Sequence, residues 1–144
     1  FPNTQARVRA VRYHDLHHVL TGYGTGWTGE SEISAWELAT NCRGFLAAWV
    51  LNLWAMWTGL LFAPRAVWKA FARGRQTANL YARPFDDALL EHTVDRTRSQ
   101  LGLDRELTPA RIHDRMAFAA AVVAGTFAVL CLPATVTIVA FSVL

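Results

Sequence analysis

The chain has 144 residues, enough for one domain and too few for two well-packed ones. Hydrophobic residues make up 53% and charged residues 17%, against about 45–50% and about 25% in soluble domains, which excludes intrinsic disorder and argues against a fully soluble monomer. The net charge is +3, but the aromatic residues are not interleaved with basic ones, so we expect an anionic membrane surface as partner and no nucleic acid. Because the first residue is Phe1 rather than Met, we expect that an N-terminal part is missing.

The N-terminal third predicts two helices joined by a flexible loop. A helical pattern covers Arg7–Leu20, and residues 21–29 form a Gly-rich loop. Thr28 is a candidate N-cap for a second helix that starts near Glu30.

The central part begins with an uncharged run of 20 residues, Gly44–Ala63, which is long enough for a membrane span. Pro64 ends this run, and a basic helix follows. A further helix is predicted to open at Pro84 and to stop at Gly102, with an apolar stripe at helical spacing.

The C-terminal part consists of a charged connector, residues 104–116, and an uncharged run, residues 117–144. We expect this run to be a transmembrane anchor. No segment alternates as a strand does, so the predicted fold class is all-α. The predicted organisation is a helical domain over residues 1–103, the connector, and the anchor.

Two histidines and a carboxylate share one face of the first predicted helix. His14 and His18 are four residues apart, and Asp15 lies three residues before His18. Two imidazoles and a carboxylate are a typical ligand set for a divalent cation such as zinc, and such a set can leave a position for water or substrate. The Gly-rich loop allows the chain to double back, so the carboxylate of Glu30 can face the two histidines.

The same residues also fit less specific interpretations. His17 pairs with His14 at helical spacing as well, and a solvated His–Asp pair has the same pattern. Glu32 would point about 200° away from Glu30 and is a poorer candidate ligand. No nucleophile, phosphate-binding or dinucleotide-binding motif competes with the histidine cluster.

The pattern His14-Asp15-x-x-His18, eleven residues and Glu30 resembles the HDxxH-x11-E motif of the coenzyme Q biosynthesis protein 4 family. The flanking residues Arg12-Tyr13 and Gly29 agree with it. Asn79-Leu80-Tyr81 and the later Gln100-Leu101-Gly102-Leu103 are similar to the C-terminal stretch of that family. The resemblance covers about residues 7–103.

This resemblance implies an α-helical protein bound peripherally to a membrane, with a divalent metal, usually zinc, on His14, Asp15, His18 and Glu30. It implies a lyase-type step of ubiquinone biosynthesis, in which the C1 carboxyl of a polyprenylated hydroxybenzoate is replaced by a hydroxyl. The implied partners are that prenylated aromatic precursor, the membrane, other quinone-biosynthesis enzymes and a second copy in a homodimer. The implied location is the cytoplasmic face of a bacterial inner membrane or the matrix face of a mitochondrial one.

The resemblance bears on the topology of the apolar run at 44–63. If this run crossed the bilayer, Glu30 and Tyr81 would lie on opposite sides, and one domain could not contain both. We therefore expect a buried or membrane-dipping helix that lines a cavity for the prenyl lipid. The residues predicted to line this cavity are Leu46, Val50, Leu53, Trp57 and Leu61.

Two further residues are candidates for catalysis. Arg12, with Arg83 as an alternative, would bind the substrate carboxylate. His17 is the candidate for proton transfer, although a solvated surface histidine also fits its position.

Three rival functions remain open on the sequence. One is a non-catalytic scaffold that binds prenyl lipid and organises the quinone-biosynthesis enzymes. Another is a membrane metallohydrolase unrelated to quinones. The third is a two-helix membrane protein with an incidental histidine pair.

Overall fold

Helices account for all the regular secondary structure in the described part of the chain, which confirms the predicted all-α class. The computed structural model describes the backbone of residues 5–142 and the side chains of residues 8–131. The helices are α1 Gln5–Thr21, α2 Trp27–Thr40, α3 Leu46–Gly59, α4 Pro64–Gly74, α5 Asp87–Leu90, α6 Val94–Leu101 and α7 Ile112–Ser142.

Helix α2 forms the centre of the domain, where α3 and α4 pack against it. Its apolar side chains, including Ile33 and Trp36, are fully buried. Glycines allow the two neighbours to come close: a Cβ at Gly59 would collide with Ser31, and one at Gly74 would come within 2.7 Å of the Trp36 carbonyl oxygen. The backbones therefore pack in direct contact, which holds α2 firmly in place.

The apolar run at 44–63 is not a transmembrane helix in this structure. Helix α3 has 14 residues and ends at Gly59, whereas a span needs about 20. Pro64 then starts α4 at its first turn, as the sequence predicts. The expectation of a helix packed within the domain is supported, because Ala48, Asn52 and Met56 of α3 are buried.

Two predicted helix boundaries were wrong. Helix α2 begins at Trp27 with Gly26 at the N-cap, so Thr28 lies inside the helix and does not cap it. The helix predicted from Pro84 is two short helices, because Asp86 caps α5 and Thr93 caps α6. These two side chains accept hydrogen bonds from Leu89 N and Arg96 N at 3.0 and 3.2 Å. Gly102 does end α6, in the left-handed conformation.

Helix α7 begins at Ile112, within the predicted connector, and continues through Gly125 and Pro133. It lies against α4 and α3: Phe118 contacts Trp68 and Phe71, and Trp57 Nε1 donates to Thr126 Oγ1 at 3.0 Å. In the described residues, one helix is long and apolar enough to cross a membrane, and it is this one, over Ile112–Cys131. Its outward face is apolar and exposed, with Met116, Val123, Phe127 and Leu130.

Candidate metal centre

Helix α1 and the loop after it place two imidazoles side by side. His14 and His18 lie one turn apart on α1, and their ring centroids are 4.8 Å apart. Gly22, with a φ of +79°, turns the chain back after α1. This turn brings the Tyr23 carbonyl oxygen to 3.1 Å from His18 Nδ1.

The first turn of α2 adds a carboxylate to this pair, as the sequence predicts for Glu30. Gly29 lies directly against Gly24, where any Cβ would collide with the Gly24 carbonyl, so the loop folds flat onto the start of α2. His14 Nε2 and His18 Nε2 are 3.3 and 3.4 Å from the Glu30 carboxylate oxygens, and 3.2 Å from each other. The three residues thus form one group whose ligand atoms lie within 4.8 Å of one another.

The spacing of these atoms fits a zinc ion. Ligands at about 2.0–2.1 Å from a tetrahedral metal lie about 3.3–3.4 Å apart. The two Nε2 atoms lie 3.2 Å apart, and they lie 3.3 and 3.4 Å from Oε2 and Oε1 of Glu30, so the group has about the size of a zinc site. Two imidazole nitrogens and one carboxylate are also a donor set known from catalytic zinc sites.

The second nitrogen of each imidazole is held by an acceptor. His18 Nδ1 faces the Tyr23 carbonyl oxygen, and His14 Nδ1 lies 3.2 Å from Glu37 Oε1. Because neither oxygen can donate, each Nδ1 carries a hydrogen, and each Nε2 faces the Glu30 carboxylate. Both Nε2 atoms and the Glu30 carboxylate therefore converge, an arrangement that suits a cation, either a metal or a proton.

Glu37 is the buried centre of the hydrogen-bond network behind the ligands. Its side chain is fully buried, and one carboxylate oxygen accepts from His14 and from His17 Nδ1, the latter at 2.7 Å. The other oxygen accepts from Asn52 Nδ2 at 2.5 Å and from the Tyr81 hydroxyl at 2.8 Å. Four donors satisfy the four lone-pair sites of an ionised carboxylate, so Glu37 carries its charge inside the protein.

The pKa values follow from these contacts. Burial alone would lower the pKa of His14, but the hydrogen bonds and charges of Glu37 and Glu30 outweigh it and raise the pKa to about 9. Burial favours protonation of Glu37, but the bonds from His14 and His17 dominate and hold the pKa of its carboxyl well below its usual range. Burial and the Glu37 charge raise the pKa of Tyr81, so this phenol keeps its proton.

His17 is not a solvated surface residue. It is fully buried, and its Nε2 accepts a hydrogen bond from the Leu80 backbone N–H at 3.0 Å. Since Nδ1 donates to Glu37, both ring nitrogens are occupied, and burial lowers the pKa of the ring. His17 fastens α1 to the segment around Leu80 and has no open path to a ligand in this arrangement.

Asp15 lies apart from the other candidate ligands. It follows His14 on α1 but is exposed to solvent, and the convergent group consists of His14, His18 and Glu30. The structure therefore brings together three of the four residues in the predicted ligand set.

A cavity of about 290 Å³ opens beside the cluster. Its polar side holds His14, Glu30, Glu37 and Asn52, and its apolar side is formed by α1 and α3. The apolar lining residues are Ala10, Val11, Ala47, Ala48, Leu51 and Ala55. The arrangement suits an amphipathic ligand whose polar end reaches the cluster.

The five predicted lipid-lining residues do not line this cavity. Leu53 and Trp57 face α7, where a Cβ at Gly125 would come within 3.3 Å of both residues. Leu46 and Leu61 are exposed, and Val50 is half-buried outside the cavity lining. Helix α3 does line the cavity, but with its small residues on a different face, because α7 covers the face with the tryptophan.

Arg12 is exposed on α1 and lines a second, larger cavity together with Arg83. The two cavities share Tyr81 as a common wall. Arg12 therefore lies beside the candidate metal centre and outside its polar lining.

No family model, no curated protein and no solved structure matches this chain.

Glu37, Asn52 and Tyr81 are site residues that the pattern of ligands does not reveal. A signal for Glu37 is present in the sequence: it follows Glu30 by seven residues, two helical turns, and stands in an otherwise apolar stretch. Asn52 is likewise the most polar residue of an apolar helix. Their partners come from three different helices and a loop, so only the packing shows that they meet.

Proposed function

We propose that this protein binds a divalent metal, with zinc the best fit, through His14, His18 and Glu30. We further propose that it uses this centre on an amphipathic substrate at a membrane. In line with the resemblance to the coenzyme Q biosynthesis protein 4 family, the proposed reaction is the replacement of the C1 carboxyl of a polyprenylated hydroxybenzoate by a hydroxyl, in ubiquinone biosynthesis.

One observation carries this proposal: both imidazoles point their Nε2 atoms at the Glu30 carboxylate, with all three separations between 3.2 and 3.4 Å. The other nitrogens of the two rings are held by Tyr23 and Glu37, as is usual for histidines that bind a metal. Glu30 is also partly exposed, with 41% of its side chain accessible, so the centre is open on one side. An open position is typical of catalytic rather than structural zinc sites.

The lining of the 290 Å³ cavity supports the amphipathic substrate. The small residues Ala47, Ala48 and Ala55 leave room along α3 for an apolar chain or ring. A bound metal would supply Lewis-acid polarisation of a carboxylate or phenolate oxygen. Glu37 and Asn52 hold the polar end of the cavity rigid, and Arg12 lies beyond Tyr81, where it can attract an anionic substrate.

Membrane association rests on α7. Its outward face is apolar, and the helix has no charged residue after Arg115. We propose that α7 holds the domain at the cytoplasmic face of a bacterial inner membrane, or at the matrix face of a mitochondrial one, where a prenylated substrate would be dissolved.

The test compares His18→Ala with His113→Ala, a matched change of an exposed histidine. Metal content of the purified proteins and quinone synthesis in cells that depend on this protein are measured together. We expect His18→Ala to lose the metal and quinone synthesis, and His113→Ala to retain both. Full metal content and quinone synthesis in His18→Ala would refute the proposal.

Glu30→Gln separates catalysis from scaffolding. We expect this variant to bind prenyl lipid and partner enzymes like the wild type while quinone synthesis stops. Continued quinone synthesis after loss of the metal would show that the protein acts as a non-catalytic scaffold.

A further inference from the structure

A second cavity, here called the arginine groove, lies between α1 and the segment 81–85. It has a volume of about 660 Å³ and shares only Tyr81 with the cavity beside the metal cluster. Three arginines line it, and the remaining lining is mostly aromatic or apolar. The lining residues on which the argument depends are Arg9, Arg12, Arg83, Tyr13, Phe45 and Phe85.

The positive charge in this groove is not neutralised by the protein. Arg9 and Arg12 are exposed and lie three residues apart, which places them on one face of α1. Arg83 donates from Nη1 to the neutral Gln100 Oε1 at 2.6 Å. Among the described residues, none of the three guanidinium groups forms an ion pair, and the residues outside that range include no Asp or Glu.

One carboxylate, Asp86, lies near the groove, and after burial its charge is a further cause of the raised pKa of Tyr13. Its side chain, however, accepts the Leu89 N–H at 3.0 Å as the N-cap of α5. Asp86 is therefore held in a helix cap and does not reach any of the three guanidinium groups within ion-pair distance. Three like charges around one groove repel each other, and an anion bound between them would offset that repulsion.

The aromatic walls indicate what else the ligand carries. Tyr13 packs edge-on against both Phe45 and Phe85, with centroids 5.7 and 5.3 Å apart, and the Arg12 guanidinium lies 6.0 Å from the Phe85 ring centre. These rings form a fixed apolar surface directly beside the cations. Guanidinium groups bind carboxylate and phosphate oxygens in pairs, and the rings can cover an apolar body attached to them.

We propose that the arginine groove is a binding site for the carboxylate or phosphate group of an amphipathic anion, with the apolar part of that ligand on the aromatic wall. The proposal does not require the metal, because the groove and the metal cluster have no ligand residue in common. Tyr81, shared by both cavities, places the bound anion next to the metal centre.

The experiment measures binding of phenyl phosphate, inorganic phosphate and phenol to the full chain in neutral detergent by calorimetry. We expect phenyl phosphate to bind about tenfold or more tightly than inorganic phosphate, because its ring is covered, and phenol to show no measurable binding. Arg12→Gln together with Arg83→Gln should weaken phenyl phosphate binding about tenfold or more. Arg96→Gln, an exposed arginine on α6, is the matched control and should bind like the wild type.

Far-ultraviolet circular dichroism reports whether each variant is folded, and His18→Ala shows where the probe binds. We expect His18→Ala to bind phenyl phosphate normally; loss of binding would mean that the probe occupies the metal centre and would overturn the proposal. Wild-type affinity in the double arginine variant would overturn it as well. Neither result depends on whether the proposed reaction occurs.

Flotation with vesicles distinguishes two sources of the anion. If the groove takes a lipid headgroup, the double arginine variant should bind less to vesicles that contain phosphatidic acid, with binding to phosphatidylcholine vesicles unchanged. If it takes a ligand from solution, vesicle binding should stay at the wild-type level while phenyl phosphate binding is lost. Both results support an anion site, and each identifies whether the anion comes from a membrane or from solution.

Discussion

The group formed by His14, His18 and Glu30 differs from helix α7 in how many of its side chains find partners within the protein. Around the cluster, Glu37 has four donors, and each imidazole of His14 and His18 has an acceptor for its Nδ1. Along α7, the inward face packs on α3 and α4, but the outward face, with Val123 and Phe127, has no cover from the described residues. We propose that the first region binds one small cation and that the outward face of the second lies against a large apolar environment.

Because of this difference, we expect single substitutions to have different effects in the two regions. A precise polar network is sensitive to a single atom, because a buried donor or acceptor without a partner is costly. The binding free energy of an exposed apolar face depends little on any single atom and scales with the total apolar area that becomes buried. The predictions below test this contrast from the largest expected effect to the smallest.

Zinc binding should give the largest effect on stability. At about 100 times its dissociation constant, zinc should stabilise the fold by about 2.7 kcal/mol, because it binds only where the three ligands are assembled. Thermal unfolding with zinc and with a chelator measures this change. His18→Ala should show no such shift; an equal shift in this variant would mean that zinc binds elsewhere.

Glu37→Gln should weaken zinc binding about 10- to 100-fold, as changes behind a metal-ligating histidine commonly do. The amide NH₂ cannot accept from the donors that now meet the carboxylate, so His14 loses its fixed orientation. Competition with a chromophoric chelator gives the affinity. Glu32→Gln, on the same helix and outside the network, is the control, and equal affinities in the two variants would contradict the role of Glu37.

Gly125→Leu should destabilise the fold by about 1–2 kcal/mol in urea unfolding, because α7 approaches Leu53 and Trp57 too closely for a side chain. Ala124→Leu places the same side chain on the exposed neighbour and should have little effect. If both variants unfold at the same urea concentration, α7 does not pack on α3 in solution.

Phe127→Gln together with Leu130→Gln should have the smallest effect on folding, within about 0.5 kcal/mol for each exposed position. The same variant should lose about tenfold or more in vesicle binding, because two large apolar side chains are removed from the surface proposed to face lipid. Flotation and urea unfolding on one preparation measure both quantities. Unchanged vesicle binding would show that another surface attaches the protein to the membrane.

Much of the candidate site could be predicted from local spacing. His14 and His18 share a face because they are four residues apart, and Glu30 follows a loop that Gly22 can turn. Helix boundaries were less accurate, since Asp86 and Thr93 compete as caps with a continuous helix, and such competition is decided by small differences in free energy.

The sequence by itself determined the all-α class, the His–His–Glu cluster and the apolar C-terminal helix, because helical periodicity is a local property of the chain. Only the tertiary structure decided that Asp15 stays in solvent, that His17 is buried, and that Glu37 collects donors from α1, α3 and the segment around Tyr81. The same packing turned Trp57 towards α7 and left small residues to line the cavity. Which face of a helix meets which neighbour depends on contacts between residues far apart in the chain, and no local spacing specifies them.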